Sequence, residues 1–319
     1  MRMIIILAAK MRTIFISALA ALPLALAACG SDDDSGSDGA RVVATTGIVA
    51  DVARAVAGPD VEVEQVIPDG SSPHDFELSA QDRQMLEEAD LLVVSGAGLE
   101  AGIPLDEVDA AQWALADHVG ALRPFEEAGA HEHAEDEGAV DEEHEGSGDP
   151  HVWMDPTRVA AAVPSLAEAL ANVDPDEAVQ YRERARDYAR QLDRLDAEVE
   201  RTLAPVSTAN RELVTSHDSL GYFADRYGFE VVATAFPASG PEAEASAGLI
   251  GEVEAAVREH DVPAVFASEE DDPETLELIA DETGVEIQEG LAIESPGATG
   301  SYEEMLRHDA ELIAAALGR

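Results

Sequence analysis

Between Asp174 and Ala204 the chain reads DPDEAVQYRERARDYARQLDRLDAEVERTLA, with no glycine and no proline after Pro175. At ~1.5 Å per residue, a helix of that length spans roughly the width of a domain. Such an element is expected to act as a backbone on which the parts before and after it are built. The fold must then be read as what lies on either side of it.

On both sides, strands alternate with amphipathic helices. Before it, RVVATTGIVADVARAVAG reads as a strand and a helix stopping at Gly58, and VEVEQVIPDG as an alternating strand ending in a Pro/Gly turn. SAQDRQMLEEADLLVVSG follows, with Ser79 as an N-cap, a helix and a buried strand. After it come the strands RELVTSH, FEVVAT, VPAVFAS and VEIQEG. The helices DSLGYFADRYG, SAGLIGEVEAAVREHD, DPETLELIADETG and SYEEMLRHDAELIAAALG alternate with them. This order predicts an α/β fold of two lobes, each a parallel sheet flanked by helices, joined by one long helix. The expected divisions are an N-terminal lobe at 41–173, a linking helix at 174–204 and a C-terminal lobe at 205–319. No internal sequence repeat is evident.

The first 29 residues have a different character. A basic start, an apolar run too short for a comfortable membrane span and the small residues of Leu26–Cys29 (LAAC) predict a signal peptide. LAAC resembles a bacterial lipobox, which implies a lipid on Cys29 and an extracytoplasmic, membrane-anchored protein. An uncleaved N-terminal anchor is the other reading, and Met11 is an alternative start. Cys29 is the sole cysteine, so an intramolecular disulfide and a thiolate metal site are both excluded. Residues 30–40, GSDDDSGSDGA, form a polar tether without apolar surface to bury.

The formal net charge is −48, from 19 basic and 67 acidic residues. Arg2, Lys10 and Arg12 precede Cys29, so the processed chain keeps 16 basic residues and a net charge of −51. A surface of that sign repels nucleic acid and anionic lipid headgroups. It attracts cations without choosing among them, and solubility or adaptation to salt accounts for it. An acidic segment at 126–148, carrying His131, His133 and His144, interrupts the α/β pattern. A loop of that length is commonly functional or disordered.

Four short segments place a metal-binding side chain just past a strand or loop. They are DGSSPHDFE with His74, GDPHVWMDP with His151, LVTSHDSLGYFADRYGF with His217 and GLAIESPG with Glu294. Open α/β sheets bind ligands at their strand ends, and a cleft between lobes would bring the four together. Three imidazoles and a carboxylate without thiolate suit a four-coordinate zinc site, with manganese or iron as further possibilities. Proton competition on the imidazoles predicts affinity falling below about pH 6.5.

SSPHDFE, DPHVWMDP and TSHDSLGYFADRYGF, in that order, resemble the zinc and manganese substrate-binding proteins of bacterial ABC importers, the ZnuA/TroA-like family. The resemblance covers the chain from Arg41 to its end. It implies two α/β lobes on a backbone helix, a metal between them, and delivery to a membrane permease without catalysis. It further implies His74, His151 and His217 as ligands. A histidine at the third position points to zinc, because manganese-selective members tend to have Glu there. Glu294 departs from the Asp of many relatives, and its extra methylene leaves monodentate ligation, a shifted metal or a water in its place as alternatives. The acidic segment lies where zinc-selective members often carry a His-rich loop, which suggests weak zinc capture; a plain charged insertion is the alternative.

Other residues receive structural readings. His118, His260 and His308 have no such context and are expected to be structural or solvent-facing. Asp75, Asp155 and Asp218 are candidate acceptors for an imidazole N–H, and Asp155 and Asp218 equally candidate helix caps. Glu269 is expected to serve a helix start or the surface. A manganese receptor is the near alternative in function. A zinc hydrolase is a more distant one, without an HExxH motif, and an adhesin has no separate module to support it.

Overall fold

The computed structural model describes residues 39–124, 148–235, 247–269, 277 and 280–318. The signal peptide, nearly all of the tether, His131, His133 and His144 of the acidic loop, and most of the helix expected over DPETLELIADETG lie outside those residues. Among the described residues, no helix is long and apolar enough to cross a membrane.

The first lobe is built from β1 (Val42–Ala44), α1 (Gly47–Ala57), β2 (Val63–Gln65), α2 (Ala80–Glu87), β3 (Leu91–Val94), β4 (Ala111–Ala114) and α3 (Pro156–Val173). The long helix α4 (Ala178–Leu203) follows. The second lobe holds β5 (Glu212–Thr215), α5 (Gly221–Tyr227), β6 (Glu230–Thr234), α6 (Ala247–His260), β7 (Ala264–Ser268), β8 (Glu286–Leu291) and α7 (Tyr302–Leu317). Both sheets are wholly parallel, in the orders β2-β1-β3-β4 and β6-β5-β7-β8. The lobes therefore share one topology although their sequences show no repeat. In each, the order reverses beside the first strand, and the strand ends there form the crevice where such sheets bind ligands.

Local chemistry explains the element boundaries. Thr46 Oγ1 accepts from Val49 N at the start of α1, and Gly58, at φ 84°, ends it. Ser79 and Asp82 form a reciprocal capping box on α2, as expected of Ser79. β4 was not expected from the sequence. Its Ala-Gln-Trp-Ala has little strand propensity, and pairing with β3 makes it an edge strand, anchored by Trp113 Nε1 donating to Ser165 Oγ at 2.9 Å.

Both faces of each sheet are covered. On β1 and β3, Val42, Ala44, Leu91 and Val93 enter the main core, while Val43, Leu92 and Val94 join a smaller cluster with Val66, Ile67 and Leu86. Val214, Val253, Val262 and Val265 form the equivalent outer cluster of the second sheet. The main core is continuous between the lobes. It runs from β1 and α1 through Leu166, Tyr181, Leu192 and Leu203 of α3 and α4 to Phe223, Leu291 and Met305. The lobes thus meet through buried apolar surface as well as through the long helix.

Candidate metal centre

His74, His151, His217 and Glu294 come together at the strand ends between the lobes. Each offers one ligand atom, and the four atoms lie within 4.8 Å of one another. His151 Nε2 is 3.2 Å from His217 Nε2, and Glu294 Oε1 is 3.2 Å from His74 Nε2 and 3.5 Å from His217 Nε2. The three ring centroids stand 5.0–5.6 Å apart, tilted or edge-on, so the ring nitrogens converge instead of the faces stacking.

Each side chain arrives by a different route. His217 lies two residues past β5, where Ser216 N donates to Phe266 O and extends the pairing with β7. The turn closes with Ser219 N donating to His217 O, and α5 follows. Glu294 lies three residues past β8, on a segment held from several directions. Asp309 Oδ1 accepts from Ala292 N (2.9 Å), Trp153 Nε1 donates to Ile293 O (2.9 Å), and Gly70 N donates to Ser295 Oγ (3.1 Å). His151 opens a 3-10 turn just before α3. Fully buried, it is gripped by Asp149, whose Oδ1 accepts from both its backbone N (2.9 Å) and its Nδ1 (2.8 Å). An ionised carboxylate can only accept, so the ring proton is assigned to Nδ1 and the Nε2 lone pair faces the other ligand atoms. His74 sits on the long β2–α2 connection, and its buried Nε2 has no hydrogen-bond partner despite the nearby Glu294 oxygen.

Asp149 is the site residue that the sequence reading missed. Of the acids expected behind the imidazoles, Asp155 instead caps α3 by accepting from Thr157 N at 2.9 Å, and Asp75 is exposed. Asp218 does not cap α5, whose N-cap position is Leu220. The signal for Asp149 was present in DPH, where a carboxylate two residues ahead can take both the backbone and ring N–H of the histidine. Gly221 is demanded by the same corner, since a Cβ there would lie 2.6 Å from Arg123 Nε and 2.9 Å from Asp149 Oδ2.

The pocket favours neutral imidazole. Burial, reinforced by His151 and His74 and opposed by Glu294, pushes the His217 ring down to about 3. Burial pushes the Glu294 carboxyl up, but the adjacent His74 ring, with the other two imidazoles, holds it below the ordinary carboxylate range. Proton competition at His217 therefore lies far below the pH of about 6.5 expected of an ordinary imidazole.

The remaining histidines and Glu269 stand outside this group. His118 stacks on Trp113 with centroids 5.4 Å apart, His260 pairs with Glu212 at 3.3 Å, and His308 Nε2 is 2.9 Å from Gly290 O. Glu269 is exposed, with its backbone N donating to Leu291 O.

The family model described as ZnuA, zinc-uptake complex component A, periplasmic, matches residues 42–316. This chain belongs to the ZnuA family. Zinc-binding protein TroA of Treponema pallidum is 30% identical over 308 residues, covering 92% of this chain and 93% of TroA. Manganese-binding lipoprotein MntA of Halalkalibacterium halodurans is 27% identical over 310 residues, covering 93% and 96%. Manganese ABC transporter substrate-binding lipoprotein PsaA of Streptococcus pneumoniae serotype 4 is 24% identical over 314 residues, covering 97% and 99%. The solved structure of the periplasmic zinc-binding protein TroA from T. pallidum superposes with a TM-score of 0.75 at 28% identity, covering 88% of this ZnuA-family chain and all of that one. The two parallel-sheet lobes and long helix are thus those of a zinc and manganese receptor family, and a hydrolase has no support among these relatives.

Proposed function

We propose that this protein is an extracytoplasmic receptor that captures a zinc ion with His74, His151, His217 and Glu294 and delivers it to an ABC importer. The observation that carries this reading is the spacing of the ligand atoms. Zinc bound tetrahedrally at ~2.0–2.1 Å from each donor separates the donors by about 3.3 Å. Three of the six separations, 3.2, 3.2 and 3.5 Å, surround that value, and all six lie within 4.8 Å. The orphaned His74 Nε2 is a group that a shared cation would satisfy, and a His217 ring kept neutral by burial is in the protonation state that binds one.

Each residue has a part. Asp149 fixes the tautomer and orientation of His151 and adds negative charge behind it. His217 stays neutral at neutral pH, so one of its ring nitrogens keeps a lone pair for the ion. Glu294 supplies a carboxylate that offsets half the charge of a divalent ion. Four protein donors close the tetrahedron and leave no position for an activated water, which suits holding an ion and not hydrolysis. Export and a lipid on Cys29 rest on LAAC and agree with the lipoprotein names of MntA and PsaA. PsaA's description as an ABC transporter component supports a permease as the partner.

Manganese is the second reading, favoured by the names of MntA and PsaA. The donor set favours zinc, because three of four donors are imidazole nitrogens and manganese prefers harder oxygen ligands. Competitive titration of the metal-free protein with both ions tests the choice. The expected result is one zinc per chain, not displaced by equimolar manganese; manganese retained against equimolar zinc would overturn it.

A further inference from the structure

His217 and His151 enter the site from opposite lobes, yet α5, the helix that follows His217, is bonded to the His151 segment along its length. Tyr222 Oη donates to Asp149 O at 2.9 Å and accepts from Arg123 N at 3.0 Å. Asp149 N in turn donates to Arg123 O at 2.9 Å. One helical turn past Tyr222, Asp225 pairs with the Arg123 guanidinium. The next residue, Arg226, pairs with Asp196 of α4 and stands 4.0 Å from Asp155 at the start of α3. Adjacent residues of opposite sign on α5 therefore reach opposite-signed partners on either side of His151.

Arg123 is the centre of this arrangement. Its Nε is 3.8 Å from Asp149 Oδ2 and, although buried, makes no hydrogen bond. Asp149 Oδ1 is the atom that grips the His151 ring. Asp218, the residue after His217, adds a third carboxylate whose charge acts on the guanidinium. Three carboxylates, of which Asp149 holds His151 and Asp218 follows His217 in the chain, thus share one cation. Without it they would repel one another across the joint that sets the His151–His217 distance.

We propose that Arg123 is a positioning residue for metal capture, its guanidinium between Asp225 on α5 and Asp149 behind His151 setting the separation of the imidazoles that the two lobes contribute. This rests on the reading of His151 and His217 as ligands. The Asp225 side chain is 63% exposed and that of Arg123 33%. An ion pair so exposed contributes little to folding, whereas Asp149 is only 4% exposed and loses its neighbouring cation when Arg123 is removed, so affinity is read beside the metal-free melting temperature.

The test measures zinc affinity by chelator competition and zinc release by stopped flow on the whole processed chain, well below its melting temperature. Arg123→Gln, Arg123→Lys and Asp225→Asn are compared with wild type and with Arg182→Gln, which breaks a surface pair to Glu168 away from the site. Arg123→Gln is expected to weaken zinc binding about tenfold and to speed its release at a temperature where the metal-free variant is still folded. Arg123→Lys should recover part of the loss, Asp225→Asn should show a smaller loss that does not add to that of Arg123→Gln, and Arg182→Gln should show none. Unchanged affinity in Arg123→Gln overturns the proposal. Tighter binding does so too, since that is what removing a repelling cation alone would give. If Arg123→Gln fails to fold, full wild-type affinity in both Arg123→Lys and Asp225→Asn overturns it equally. A wild-type chain that binds no zinc would instead overturn the ligand reading on which the proposal rests.

Discussion

His151 and His74 point at the same spot but are held there differently. His151 is fully buried, and its ring is locked by Asp149. Its segment is tied to the second lobe by Trp153 donating to Ile293 O and by Tyr302 Oη donating to Trp153 O at 2.5 Å. His74 lies on a long connection, its backbone N donates to Ser72 Oγ at 3.3 Å, and its Nε2 has no hydrogen-bond partner. The His151 ring is ordered by hydrogen bonds before an ion arrives, whereas the His74 ring has no such partner and more of its ordering is left to the ion. Three of the four convergent side chains thus form a preformed part of the candidate site, and the fourth completes it.

The contrast predicts unequal mutants. His151→Ala should lose zinc affinity by more than 100-fold, because it removes a ligand and empties a buried position that Asp149 supports. His74→Ala should lose less, water taking the open position. Chelator-competition titrations rank the two, and equal losses would erase the distinction. Asp149→Asn comes next, with an expected loss of about 10–100-fold, typical of removing the partner behind a metal-bound imidazole. The corresponding exposed neighbour of His74, Asp75→Asn, should change affinity little.

A separate contrast concerns the metal-free fold. The buried His217 ring titrates at about 3, whereas an unfolded histidine titrates near 6.5. Above about 6.5 neither state takes the proton and His217 costs nothing. As pH falls from there towards about 3, only the unfolded chain gains it, and stability drops by up to about 1.4 kcal/mol per pH unit. Metal-free wild type should therefore melt progressively lower from pH 6.5 to pH 4, and His217→Phe, folded, should show a shallower slope. Parallel slopes would contradict the burial of a neutral imidazole at that position.

Much of this was legible in the sequence, for reasons particular residues make clear. The parallel lobes follow from strand–helix alternation, and the long helix from thirty residues without a breaker. The four convergent side chains were picked out as His, His, His and Glu just past strands or loops within recognisable segments. β4 was not legible, because AQWA becomes a strand only by pairing with β3. Asp149 was hidden by a rule of proximity applied in the wrong direction: the acids sought were those after each histidine, and the one in contact precedes it. The shared strand order of the lobes is likewise invisible to residue-by-residue comparison, because backbone pairing and burial maintain it without common side chains. The shifted His217 titration depends on burial by both lobes, which no local stretch encodes.

Zinc-edge X-ray absorption of the loaded protein, wild type beside His217→Ala, tests the central claim most directly. The account predicts one zinc per chain with four nitrogen or oxygen neighbours at ~2.0–2.1 Å. Three imidazoles should contribute to the outer scattering in wild type and two in the variant. A wild-type signal with a single imidazole, or a spectrum unchanged by the substitution, would contradict it.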